Sequence, residues 1–521
     1  MMTSSGGVPT ETRSRGFGSV LFLGDRSSRL VEEPGYFRDL NLDQVVDAIV
    51  AGRDEYDLKP FFYTPVSLAE VRYRHAVMGD LEDGSVFGHV TGFAATMRRM
   101  GEHLRRAAQL RYRYQQEAVF LEAGELYVHA VTELAQDLDA DPIRSDGLTG
   151  FRDYLTGYVD SSAFQTLVRE TERVRAGLSG LSYCLNMTDN RIAVTRYDGE
   201  VDYSAEVAQA FERFAPVAAG AAVRPSAASS DMNHIETGVV SLVAEWFPDE
   251  FDALDEYCDR HVDLLDPTIG RFDREVEFYL AYLEFLAPLR AAGLPVCYPR
   301  VGGLPQESRV ERSFDLALAS RLVGDGTVPV CNDFTFTPQR RVLVVTGANQ
   351  GGKTTFARTV GQVHHLARLG CPVPGRRGEV FLCDQIFTHF EREEDLHRLS
   401  GKLEDDLTRI RTILDHATSD SIVILNEIFT STTVQDAIYL GTHVLHRVIE
   451  RGMLGLCVTF VDELSRLDEA TVSLVAGVDP HDPTVRTFTV TPKAADGLAY
   501  AEAIAAKYGL TYRGLRERIA S

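Results

Sequence analysis

The stretch Arg341-Val-Leu-Val-Val-Thr-Gly347-Ala-Asn-Gln-Gly-Gly352-Lys353-Thr354-Thr355 decides the reading of this chain. An apolar run comes first, then Gly347-x4-Gly352-Lys353-Thr354, then a helical pattern. This is the order a phosphate-binding loop needs. Glycines let successive backbone N–H groups curl around phosphates, and the following helix N-terminus adds partial positive charge. The spacing predicts a nucleoside triphosphate cradled by Gly347, Ala348, Asn349, Gln350, Gly351, Gly352, Lys353, Thr354 and Thr355. In that reading Lys353 reaches the β- and γ-phosphates and the Thr354 hydroxyl ligates Mg²⁺. A ligand-free glycine turn is the bland alternative, and the flanking strand and helix patterns weigh against it.

A second motif follows at Ser421-Ile-Val-Ile-Leu-Asn426-Glu427. Four apolar residues before a polar pair describe a buried parallel strand that delivers polar groups at its C-terminal edge. Glu427 is the candidate to orient or deprotonate a water. Asn426 is the candidate second metal ligand beside Thr354. An amide offers an oxygen without charge, so Mg²⁺ affinity is expected to be reduced and hydrolysis slow.

The remainder bounds the class. The chain has 521 residues, 44% hydrophobic and 25% charged, which is ordinary for a soluble globular protein with two or more domains. No run of about 18 apolar residues is present, so no membrane span is expected. Met1–Gly16 lacks an apolar core and reads as a disordered tail rather than a signal peptide. Seven cysteines without a C-x-x-C pair point to reduced thiols in a cytoplasmic protein and away from zinc. The net charge of −23, from 53 basic and 76 acidic side chains, opposes non-specific DNA binding except through a local basic surface.

Periodicity predicts an α + α/β chain. A mostly helical region spans 17–292, a nucleotide-binding domain with a largely parallel sheet spans 293–500, and a helix pair broken at Gly509 spans 501–521. A strand-like piece is expected at Ser19–Leu23 and a helix at Leu42–Val50. Helical pattern then continues from Phe61 to Leu138, with a break at Gly147. A hairpin is expected over 191–203 with Asp198-Gly199 as its turn, and a linker over Ala218–Met232. The segment Met97–Gln115 is basic, carrying Arg98, Arg99, Arg105, Arg106, Arg111 and Arg113 among Tyr112 and Tyr114. It either tracks a phosphate backbone or is a solvated face balanced by acidic neighbours, the latter being the more ordinary outcome. Asp249–Asp266 is strongly acidic and suits no nucleic acid.

Taken together, these motifs resemble the MutS family of mismatch-repair ATPases, most closely over about 329–470. TGANQGGKTTFAR is similar to that family's TGPN-x-GGK-S/T-T loop. GCPVP (370–374), DQIFTHF (384–390), EEDL (393–396) and ILDHATSDSIVILNEIF resemble the segments that follow it. LNLDQVV, FFYTP and REVEFYLAYLEFLAPL are more weakly similar to the family's helical core and levers. The resemblance implies an ATP- and Mg²⁺-dependent ATPase, a homodimer with composite sites, and duplex DNA as partner.

The departures are specific. No mismatch-reading domain and no Smr domain are recognised. The family's Thr-His pair reads Thr459-Phe460. Its Gly-Thr-Ser-Thr-x-Asp-Gly segment reads Ser431-Thr432-Thr433-Val-Gln-Asp436-Ala. Ser431, Thr432, Thr433 and Asp436 are therefore candidates for a site shared with a partner subunit, and equally for a plain helix N-cap. Two functions stay open. One is a DNA-associated ATP switch; the other is an ATP-gated scaffold of the same ancestry that binds a protein partner.

Overall fold

The computed structural model describes residues 17–24, 32–188, 191–200, 231–302, 307–391, 401–482, 484–495 and the isolated positions 508, 510 and 512. The architecture is α + α/β, with a helical region and a mixed, mostly parallel sheet. Two compact units divide the chain: residues 1–18 with 80–273, and residues 19–79 with 274–521.

Three helices precede the helical unit: α1 (Leu42–Val50), α2 (Lys59–Tyr63) and α3 (Leu68–Leu81). Helix α1 forms because Leu42, Val45, Val46, Ile49 and Val50 make one buried stripe. No strand forms at Ser19–Leu23. Instead the Ser19 hydroxyl accepts the Leu21 and Phe22 N–H groups at 3.0 and 2.9 Å, a local turn that competes with a ladder.

The helical unit is built on two long helices, α4 (Gly84–Gln109) and α5 (Arg113–Ala140). Val86, Val90, Phe93, Met97 and Met100 form the buried stripe of α4, and the Asp83 carboxylate caps it on Ser85 N–H at 3.0 Å. The expected break at Gly147 lies earlier. Ser145 caps α6 (Asp146–Val159) by accepting the Leu148 N–H, and Gly147 is buried within that helix. Ser161 caps α7 (Ser162–Ser179) in the same way.

Arg191–Arg196 forms a strand, β2, and pairs antiparallel with β1 (Tyr183–Thr188) on its N-terminal side. Gly199 adopts φ +87°, and the second strand of the hairpin expected over 191–203 lies outside the described residues. After β2, α8 (His234–Trp246) opens on an Asn233–Glu236 capping box and α9 (Pro248–Arg260) carries the acidic run. Most of the expected linker 218–232 lies outside the described residues, as does most of the C-terminal pair 501–521.

The second unit continues through α10 (Pro267–Ala291), β3 (Val296–Cys297), β4 (Arg300–Val301), β5 (Ser308–Ser313), α11 (Leu316–Gly324) and β6 (Asn332–Phe336). Then come β7 (Val342–Gly347), α12 (Lys353–Leu369), β8 (Val373–Pro374), β9 (Arg377–Val380) and β10 (Ile386–Phe390). It closes with α13 (Lys402–His416), β11 (Ile422–Asn426), α14 (Val434–Glu450), β12 (Leu454–Val458), β13 (Thr471–Val478) and β14 (Arg486–Pro492). The main sheet has strand order β10-β11-β12-β7-β13-β14, parallel except for the β13–β14 pair. Every residue of β11 and β12 is buried, as central parallel strands covered on both faces require. Each fully buried Val, Ile or Leu there contributes about 1.5–3 kcal/mol.

Residues 19–79 pack on this sheet domain, held by buried polar side chains. The fully buried Gln362 of α12 donates to Leu40 O and accepts from Leu316 N–H, both at 2.9 Å. Thr388 of β10 donates to the Asp39 carboxylate at 2.6 Å. Arg74, fully buried, donates to Leu21 O at 3.1 Å and Leu369 O at 2.8 Å, between the rings of Phe22 and Phe278. Buried polar side chains are as a rule hydrogen-bonded inside, and these three each are.

Candidate nucleotide site

Strand β7 ends at Gly347, where φ is +111° and an added Cβ would stand 2.8 Å from Ala476 O. Glycine is the residue that fits there. The chain then turns through Ala348, Asn349, Gln350 (φ +59°) and Gly351, and Gly352 (φ +90°) sits at the N-cap of α12. The expected loop therefore has the strand–turn–helix geometry of an anion cradle, with Lys353 as the first helical residue.

Lys353 is 4% exposed. Its ammonium donates to Gly347 O at 2.9 Å and Ala348 O at 3.2 Å, and lies 4.5 Å from the centre of the Phe460 ring. Burial lowers its pKa, Glu427 opposes that shift, and the Arg486 charge adds to it. Thr354 donates its hydroxyl to Asn426 Oδ1 at 3.0 Å. Two oxygen donors from α12 and the end of β11 thus meet at one point. Oxygens suit a hard cation that keeps several waters and takes one or two protein ligands, so the pair fits Mg²⁺.

Glu427 follows β11 in a left-handed conformation, φ +56°, anchored by its N–H to Val458 O at 2.9 Å. Burial raises its pKa, Lys353 pulls it down, and Glu391 adds to the rise. Gln350 and Phe488 (φ +57°), which line the same cavity as Glu427, are left-handed as well, as is Phe429 (φ +61°) two residues further on.

Glu427 and Gln350–Thr355 line one cavity of about 530 Å³. Its other wall is mixed: apolar Leu318 and Leu322 of α11, Val328, Pro329 and Val330, and Phe488 of β14, with polar Ser313, Asp315, Thr327 and Asn332 among them. A polyanion fits one side and a flat, weakly polar group the other. The sequence motifs did not reveal this second wall, since it comes from residues 313–332 and 488, remote from the loop in sequence.

Ser431, Thr432, Thr433 and Asp436 do not line that cavity. Thr433 caps α14, accepting Asp436 N–H at 3.2 Å, and the Asp436 carboxylate accepts from Thr432 and Thr433 hydroxyls at 3.1 and 2.8 Å. The capping role is therefore realised within the chain.

Among the described residues no helix is long and apolar enough to cross a membrane, and no group of three or more His, Cys, Asp or Glu could hold a metal. In comparison with known proteins, residues 343–503 match the family model of MutS domain V. That domain is an ATPase domain of the P-loop type.

Proposed function

The chain belongs to the MutS family, and on that premise we propose that it is a slow ATP-driven switch whose helical unit engages duplex DNA. The convergence of Lys353, Thr354 and Glu427 on one cavity, with Asn426 hydrogen-bonded to Thr354 behind it, carries the nucleotide part of this reading. In it, the N–H groups of Gly347–Thr355 and the Lys353 ammonium hold the phosphates. Thr354 and Asn426 hold Mg²⁺, which when bound offsets phosphate charge. Glu427 takes the proton of the attacking water. Nucleotide arrival must draw Lys353 away from Gly347 O, Ala348 O and Phe460, and that exchange is the local event through which ATP biases the domain.

The DNA part rests on the helical unit. Arg99, Arg105 and Arg106 lie in the last three turns of α4 and Arg111 in the connection to α5; all four are exposed and form no salt bridge among the described residues. Arg113 is neutralised, by Glu117 and Asp255. Acidic neighbours therefore leave most of this surface cationic, which favours phosphate contact. Retention of matched and mismatched duplexes across a salt series tests it. Four phosphate contacts give a slope of log affinity against log salt near −3.6, about 0.9 per contact, and changing Arg99, Arg105, Arg106 and Arg111 to Glu removes it. A salt-independent slope, or full retention by the variant, contradicts DNA engagement.

The scaffold reading is favoured by the acidic helix α9 and the net charge of −23. In either reading we place the active form as a homodimer tightened by ATP. Light scattering with a slowly hydrolysed analogue tests that, and a monomer under all conditions rejects it.

A further inference from the structure

Arg486, the first residue of β14, stands across from Val478 of β13. Two positions earlier on β13, Ala476 is paired with Gly347 of the phosphate loop. The fit between hairpin and loop is close: a Cβ on Gly351 would meet Ala348 O at 2.9 Å and Ala476 Cβ at 3.1 Å. Between Ala476 and Val478 the ladder slips, and a Cβ at Gly477 would stand 2.6 Å from Thr487 Oγ1. That irregularity re-aims the start of β14. The Arg486 Nε there donates to Asn349 O at 3.0 Å, so its guanidinium lies on the loop itself. Asn332 fixes the same strand from its other edge, donating to Phe488 O at 3.0 Å and accepting from Val490 N–H at 2.7 Å.

Two cationic side chains, Lys353 from α12 and Arg486 from β14, therefore converge on one loop, near enough for each charge to act on the other. We propose that Arg486 is a phosphate-binding residue supplied in cis, which leaves the Asn349 carbonyl to contact the γ-phosphate of ATP. The proposal rests on the ATP reading above and assigns a further residue to that site.

The chemistry suits the position. A guanidinium fork matches two phosphate oxygens, and such charge-assisted bonds are about twice as strong as neutral ones. Asn426 brings an oxygen without charge to the metal position, which weakens the hold on Mg²⁺, whereas a guanidinium fixed by the chain offsets phosphate charge whether or not the metal is bound. In hydrolysis the water oxygen bonds to the γ-phosphorus, the bridging oxygen leaves with ADP, and the water's proton passes to Glu427. Arg486 forms no covalent bond; it holds the negative charge that collects on the transferring group.

The test uses the full chain and fluorescent ATP and ADP analogues, with Arg486→Ala and Arg486→Lys. Far-UV circular dichroism checks that both variants fold. For Arg486→Ala the expected result is ATP affinity lowered about 10- to 100-fold and ADP affinity lowered much less, with Arg486→Lys in between. If Arg486 only braces the Asn349 carbonyl, both nucleotides weaken together; an unchanged ATP-to-ADP preference in the variants overturns this proposal alone. A parent chain that binds neither nucleotide overturns the ATP reading, and this assignment with it.

Discussion

The Lys353 ammonium lies 4.5 Å from the centre of the Phe460 ring while it donates to two carbonyls of its own loop. A cation over an aromatic face is held by about 0.5–1 kcal/mol where solvent reaches the pair, and Phe460 is 50% exposed. Phosphate must compete with that contact. Phe460→Ala should therefore raise ATP affinity by about two- to fivefold in equilibrium titration. A loss of affinity would mean that Phe460 holds the nucleotide instead of the lysine.

Thr354 Oγ1 and Asn426 Oδ1 meet at 3.0 Å. Replacing the amide with a carboxylate adds charge at the metal position without changing its size. Asn426→Asp should lower the Mg²⁺ concentration needed for half-maximal hydrolysis or raise kcat, read in a Mg²⁺ titration at saturating ATP. If neither moves, Asn426 is not a metal ligand.

Burial holds the Glu427 pKa above the ordinary glutamate value, Lys353 working against the shift and Glu391 with it. A water-activating base must be ionised, so the rate should fall on the acid side at a pH higher than for an ordinary carboxylate. Glu427→Gln should remove that limb and cut kcat by about 100-fold or more while ATP still binds. A pH–rate profile with the same acid limb in the variant would rule Glu427 out as the base.

Much of this site was legible because its chemistry is local in sequence. Loop spacing, the apolar β7 and β11 strands, and the Leu42–Val50 stripe are patterns of near neighbours. What escaped is set by strand order. Arg486 reaches Asn349 because β13 lies between β7 and β14, and Leu318–Val330 reach the loop by packing. The Tyr183–Thr188 strand escaped as well, because its pairing with Arg191–Arg196 is not written in its own local pattern. Ser431–Asp436 carried two readings that one sequence could not separate, since an N-cap and a hydroxyl-rich contact use the same side chains.

Buried Arg74 ties Leu21 O and Leu369 O together inside the second unit. Arg74→Ala would leave both carbonyls without that donor and open a cavity between Phe22 and Phe278. The expected loss is about 3 kcal/mol or more, read as an earlier midpoint in denaturant unfolding. A midpoint within error of the parent would show that water or neighbours replace the guanidinium at no cost.

The central claim is that the Gly347–Thr355 loop binds ATP, with Lys353 serving phosphate rather than the core. Calorimetric titration of the parent chain and Lys353→Ala with ATP and Mg²⁺ tests it most directly. The account predicts binding by the parent and none measurable by a folded Lys353→Ala chain. Equal affinity in the two would contradict it.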